Sequence, residues 1–185
     1  MSIDLRYLKD ERYLIRIAAI MGGLIGAIAF LFTSSPSKTP KQIQPQEVYA
    51  FIVEQVKPTG IDPQFIYALA WAESSLNERA KSSVARGIMQ LTRSAWKEVT
   101  DESYSQAWDW QTNVRVGIEY IVFCRDFLKQ HDAFSYQLLA ASYRYGPYYV
   151  KKKGFNLSKI KKPKNKIYKL IFAGNIRPIL PPVAD

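Results

Sequence analysis

From residue 46 to residue 174 the apolar side chains recur at three- and four-residue intervals, and no stretch alternates with period two over strand length. That pattern makes the expected fold class all-α. Val48, Phe51, Ile52, Gln55 and Val56 share one face of a first helix, which Pro58 and Gly60 stop. Asp62 is placed to cap a second, with Pro63 in its first turn, where proline costs least, and Phe65, Ile66, Leu69 and Trp71 turned inward. Thr92 caps a short helix through Trp96 and Val99. A longer one begins near Asn113 and carries Val116, Gly117, Tyr120, Ile121, Cys124 and Leu128. Ser135 starts another that ends near Gly146 and Pro147, and Tyr168 to Ala173, closed by Gly174, forms the last.

Ahead of this region, residues 14–32 form an apolar run with a single charge, Arg16. Its length matches the ~20 residues that a bilayer crossing needs. Arg6, Lys9, Arg12 and Arg16 load the amino-terminal flank with the positive charge of a cytoplasmic side. The segment therefore reads as a single transmembrane anchor. A cleaved signal peptide is the competing reading and fits less well, because Ala27 and Ala29 lie inside the apolar run and Thr33, Ser34 and Ser35 are followed at once by Pro36. The organisation expected is a cytoplasmic segment (1–13), an anchor (14–33), a Pro/Ser linker (34–45), a helical domain (46–150) and a basic extension with a short helix (151–185). The domain would lie outside the cytoplasm, on the periplasmic side of the inner membrane.

The chain carries 26 Lys and Arg against 16 Asp and Glu, and no acid occurs between Asp132 and Asp185. The basic carboxyl-terminal third attracts anionic lipid, acidic wall polymers or peptide carboxylates, whereas an anchored domain argues against nucleic acid as the partner. A merely solvated lysine face accounts for the same charges. Cys124 has no partner for a disulfide and reads as a small buried hydrophobe. With one histidine, His131, and no cluster of ligand residues, no metal site or cofactor is expected.

Glu73 is the residue with the clearest chemical promise. It ends the apolar stretch Ala68 Leu69 Ala70 Trp71 Ala72, so hydrocarbon surrounds its carboxyl and the negative end of a helix dipole faces it. Both effects disfavour the charged form, and a carboxylic acid kept protonated near neutral pH can protonate a glycosidic oxygen as its bond breaks. A solvated Glu at a helix end is the bland alternative. Trp71, Trp96, Trp108, Trp110 and the many tyrosines read first as core, but they exceed what packing alone requires, so some could stack on sugar rings, with Tyr143 and Tyr145 the leading candidates.

Four separated motifs, Glu73 Ser74 with Asn77 and Ser82, Gly87 Ile88 Met89 Gln90 Leu91, Asn113 to Ile121, and Ala140 Ala141 Ser142 Tyr143 with Gly146 Pro147, together resemble the soluble lytic transglycosylase (SLT) domain over about residues 47–150. The resemblance implies a lysozyme-like helical fold. It also implies cleavage of the β-1,4 bond between N-acetylmuramic acid and N-acetylglucosamine in peptidoglycan glycan strands, leaving 1,6-anhydromuramoyl ends. By that resemblance Glu73 is acid and then base, and the substrate's 6-hydroxyl replaces water, so a second catalytic carboxylate is dispensable. The resemblance further implies that Ser74 orients the helix end or Glu73, unless it is a simple turn-capping serine, that Ser82 contacts the N-acetyl region, that Gly87 lets backbone approach the sugar, that Met89 and Gln90 line the cleft, and that the Tyr143 hydroxyl points to the carboxyl or the sugar.

The chain departs from the family after Tyr143. Where the family has Asn Ala Gly Pro Gly, this sequence has Arg144 Tyr145 Gly146 Pro147 Tyr148. A cation reaching Glu73 would lower its pKa, the wrong direction for an acid, while an outward-facing one could hold a stem-peptide carboxylate. A non-catalytic peptidoglycan-binding or scaffolding module of an envelope assembly, and a hydrolase of goose-type lysozyme fold, are the alternatives to a transglycosylase.

Overall fold

A computed structural model describes residues 43–182. The expected cytoplasmic segment, the transmembrane anchor and the linker up to residue 42 lie outside the described residues. Seven α-helices follow in order: α1 (Pro45–Val56), α2 (Pro63–Ser74), α3 (Arg93–Val99), α4 (Trp110–Lys129), α5 (Tyr136–Tyr145), α6 (Pro147–Lys152) and α7 (Lys166–Phe172). No helix among the described residues is long and apolar enough to cross a membrane.

The expected caps form. Asp62 Oδ1 accepts the backbone N–H groups of Gln64 and Phe65, Thr92 accepts from Ala95, and Ser135 from Leu138. Each satisfies an orphan donor that the helix itself leaves unpaired. Helix α4 begins at Trp110, ahead of the expected Asn113, because Asp109 Oδ1 takes the N–H of Thr112 at 2.8 Å. Pro147 opens a further helix, α6, rather than closing the region: proline has no N–H to lose in a first turn, and Gly146, at φ 91°, supplies the break before it.

One departure from the all-α expectation lies between α2 and α3. Two strands, β1 (Ala85–Arg86) and β2 (Leu91–Thr92), pair antiparallel with Ala85 opposite Thr92 and Arg86 opposite Leu91. Two-residue strands are too short to leave an alternation in the sequence. The fold is otherwise helical, with its core where α4 packs against α1, α3 and α5. Val114, Val116, Ile121, Cys124 and Leu128 of α4 are fully buried, as are Phe65, Ile66 and Leu69 of α2. Burying each large aliphatic or aromatic side chain contributes roughly 2 kcal/mol. Cys124 is among them, and burial pushes its thiol up to about 12, which leaves it inert.

The segment after residue 150 belongs to this core. Tyr168 and Ile171 of α7 are fully buried, and α7 packs on both α5 and α2. Asn165 does two jobs there: its Oδ1 caps α7, and its Nδ2 donates to the Ala72 carbonyl at 3.0 Å in the last turn of α2. That bond satisfies an orphan carbonyl and fixes α7 against the helix end that carries Glu73.

Candidate active site

A cleft of about 500 Å³ opens where the end of α2, the β1–β2 hairpin and the end of α5 meet, lined by Glu73, Ser82, Gln90, Tyr143, Arg144 and Tyr145 among others. Among the described residues, Glu73 is the only carboxylate in its lining and Arg144 the only cation. Helix α2 delivers Glu73 one residue before its end, after which Ser75 and Leu76 turn the chain through left-handed conformations (φ 54° and 63°). Ser74 holds that end in place: its hydroxyl donates to the Ile88 carbonyl at 2.6 Å, tying α2 to the hairpin loop.

The Glu73 carboxyl is 14% exposed and both its protein donors bind one oxygen. The Tyr168 hydroxyl donates to Oε1 at 2.5 Å, and Arg144 Nη1 donates to the same atom at 3.2 Å. Oε2 has no protein donor among the described residues. A proton on Glu73 therefore sits on Oε2, the oxygen that neither Tyr168 nor Arg144 occupies. Burial pushes the Glu73 pKa up, opposed in part by the Tyr168 hydrogen bond and by the Arg144 charge. Arg144 does reach Glu73, but desolvation outweighs it, and the net direction is the one a general acid needs. Tyr168 itself stays a neutral donor, because burial and the neighbouring carboxylate push its hydroxyl well above the ordinary tyrosine value.

The remaining sequence-predicted residues divide into two groups. Ser82, Gln90, Tyr143 and Arg144 line the cleft; Gly87 and Met89 do not. Ser82 is exposed and its Oγ accepts the Ala85 N–H at 3.0 Å, fixing the hairpin entry. Gln90, at φ 47°, donates its amide to the carbonyls of Ala80 and Gly87, both at 2.9 Å. Gly87 is a glycine for an interior reason: a Cβ there would come within 2.4 Å of Asn113 Nδ2 and 2.5 Å of the Ala107 carbonyl. Met89 is fully buried, with its side chain against Gly117. Asn113, also buried, underpins both residues: its Oδ1 accepts the Met89 N–H at 2.8 Å and its Nδ2 donates to the Arg86 and Ala107 carbonyls. The glycine, methionine and glutamine loop is thus braced from below, and it presents Gln90 rather than Gly87 or Met89.

Tyr143 also differs from the expectation. Its hydroxyl donates to the Met89 carbonyl at 2.6 Å, so the tyrosine that bonds the carboxyl is Tyr168. Among the described residues no tryptophan lines the cleft: Trp96 is fully buried and donates to the Glu102 carbonyl, and Trp110 packs edge-on against Phe51. Sequence reasoning missed Tyr168 because it lies beyond residue 150; its one local signal was its inward position on the last helix.

The site is thus one buried acid in a cleft walled by helices and a short hairpin. The Transglycosylase SLT domain family matches residues 50–167, more than half the chain, and the protein belongs to that family. The match continues past residue 150 into the first turn of α7. Comparisons with curated proteins and with solved structures find no match. Lytic transglycosylases act on peptidoglycan, and the family assigns this protein to enzymes on that substrate.

Proposed function

We propose that the protein is a membrane-anchored lytic transglycosylase that cuts the N-acetylmuramic acid to N-acetylglucosamine β-1,4 bond and leaves 1,6-anhydromuramoyl ends. The observation that carries this reading is the solitary Glu73, raised in pKa, in a cleft with no second carboxylate among the described residues. In the first step the Oε2 proton passes to the glycosidic oxygen as the C1–O bond breaks, and the substrate's own N-acetyl oxygen bonds to C1. In the second, the muramoyl 6-hydroxyl attacks C1, the N-acetyl oxygen leaves, and the hydroxyl proton returns to Glu73. No water is consumed. Between the steps Glu73 is an anion in a buried site, and Tyr168 and Arg144 are the donors that stabilise it. The same two contacts that oppose protonation thus serve the base half of the cycle.

We assign residues 14–33 as the anchor, with the catalytic domain on the periplasmic side. The exposed lysines of the carboxyl-terminal third, Lys159, Lys161, Lys162 and Lys164 among them, suit contact with anionic lipid or acidic wall polymer. The Arg144–Glu73 contact favours one other reading, a glycan-binding module without turnover. Product analysis of the full chain in detergent on purified peptidoglycan separates these readings. Anhydro-ended muropeptides, lost in Glu73→Gln, support the transglycosylase; reducing ends indicate a hydrolase, and binding without release indicates the module.

A further inference from the structure

Arg144 is held in an unusual way for a surface arginine. Its guanidinium lies 4.6 Å from the centroid of the Tyr168 ring and 5.8 Å from that of Tyr145. Stacking of this kind fixes the plane of the fork, and beyond its contacts with Glu73 and Tyr145 it leaves edge donors for a further acceptor. Its one ion pair among the described residues is a single 3.2 Å contact, to an oxygen that already accepts the shorter Tyr168 bond. The side chain is 30% exposed and borders the cleft. A planar cation with free N–H groups, pre-oriented beside the reacting position, fits a carboxylate bidentately.

The charge balance of the cleft gives that fit a direction. With Glu73 ionised, it and Arg144 compensate each other. With Glu73 protonated, as proton donation requires, Arg144 is left without a charge partner at the edge of the cleft. The state competent for the first step is therefore the state that attracts an anion. By linkage the reverse holds too: a carboxylate seated on Arg144 favours the protonated form of Glu73.

Resting on the transglycosylase reading above, we infer that Arg144 is a specificity-determining residue that receives a carboxylate of the stem peptide, so that the cleft selects glycan strands whose peptides are charged. Peptidoglycan carries such carboxylates on the lactyl-linked peptide of each muramoyl residue that bears a stem, close to the bond being cut. A peptide-free strand, or one whose carboxyls are amides, lacks the partner.

The test compares three strand preparations with the full chain in detergent: native stems, stems with their carboxyls capped as amides, and strands stripped of peptide. The wild type is expected to favour native over amidated strands roughly tenfold in kcat/KM, the size of one charge-assisted hydrogen-bonded contact, chiefly through KM. Amidated and stripped strands should behave alike. In Arg144→Gln the native-to-amidated ratio should fall to near one, whatever happens to the absolute rate. Arg144→Lys should keep part of the preference, which a purely structural role would not produce. An unchanged ratio in Arg144→Gln, or equal turnover of native and amidated strands by the wild type, overturns the inference. So does suppression of turnover by poly(glycerol phosphate) without a native-to-amidated difference, which would assign the arginine to a phosphodiester. If the wild type releases no product from any strand, the transglycosylase reading fails instead. Cosedimentation of native and amidated strands with wild type and Arg144→Gln then measures the same ratio as binding.

Discussion

Helix α2 carries an acid at each end, and the two ends use almost the same partners to opposite effect. Asp62 precedes the first turn and Glu73 lies in the last; each pairs with an arginine, and Tyr168 donates its hydroxyl to the Glu73 carboxylate while the Tyr136 hydroxyl accepts the Asp62 backbone N–H. Exposure does not distinguish them, at 11% and 14% of the side chain. The donors do. Asp62 Oδ1 accepts two backbone N–H groups and its Oδ2 accepts Arg177, with Nε at 2.7 Å, so both oxygens are used. Glu73 faces the negative end with one oxygen unspent. The count of donors on each carboxylate separates an acid that holds the fold from one left with an oxygen to transfer a proton.

The largest effect should come from neutralising each acid in turn. Glu73→Gln removes the proton donor while keeping an acceptor for Tyr168, and product release should fall by at least about 10³-fold with the fold intact. Asp62→Asn, at the other end of the same helix, should leave turnover within about twofold. If Asp62→Asn matched Glu73→Gln in a product assay, the division between a structural and a chemical end of α2 would collapse.

Removing the tyrosine at the chemical end should have the next largest effect. Tyr168→Phe takes away the stronger of the two donors to Glu73, a loss of roughly tenfold in rate. Because that bond lowers the Glu73 pKa, its removal raises it. The alkaline limb of the pH–rate profile, where the acid form is lost, should move to higher pH. A slower enzyme with an unshifted limb would mean that Tyr168 only packs. At the structural end, Asp62→Ala deletes the cap and should cost about 1 kcal/mol of stability in a denaturant titration, with the pH–rate profile unchanged.

How much of this is legible in the sequence follows the same division between local and distant contacts. Asp62, Thr92 and Ser135 are readable as caps because each bonds to N–H groups two or three residues on, and Glu73 is readable because its apolar neighbours are contiguous. Tyr168 is not, since it meets Glu73 across most of the domain's length and nothing in residues 160–175 marks a hydroxyl aimed at an acid. Gly87 and Met89 carry the expectation of facing the sugar. The structure sets Gly87 against Asn113 and the Met89 side chain against Gly117, and Asn113 reaches Met89 and Arg86, 24 and 27 residues away. Asp109 and Asn165 escape notice as caps, one before a polar first turn and the other inside a lysine-rich stretch.

The smallest effect, and the most direct check on the chemical end, is the pH dependence of stability. A carboxyl whose folded pKa lies above its ordinary 4.5 favours the folded chain when protonated. That contribution is complete below 4.5 and is lost as pH rises through the folded value, because the ionised form is then held without full solvation. The amide of a Glu73→Gln variant is neutral throughout and keeps its environment at every pH. Thermal unfolding of the two proteins should therefore agree near pH ~4, and the variant should become the more stable of the two as pH approaches neutrality. If the wild type instead gained stability relative to the variant over that range, Tyr168 and Arg144 would outweigh burial. Glu73 would then be a carboxylate at rest, and the two ends of α2 would be alike after all.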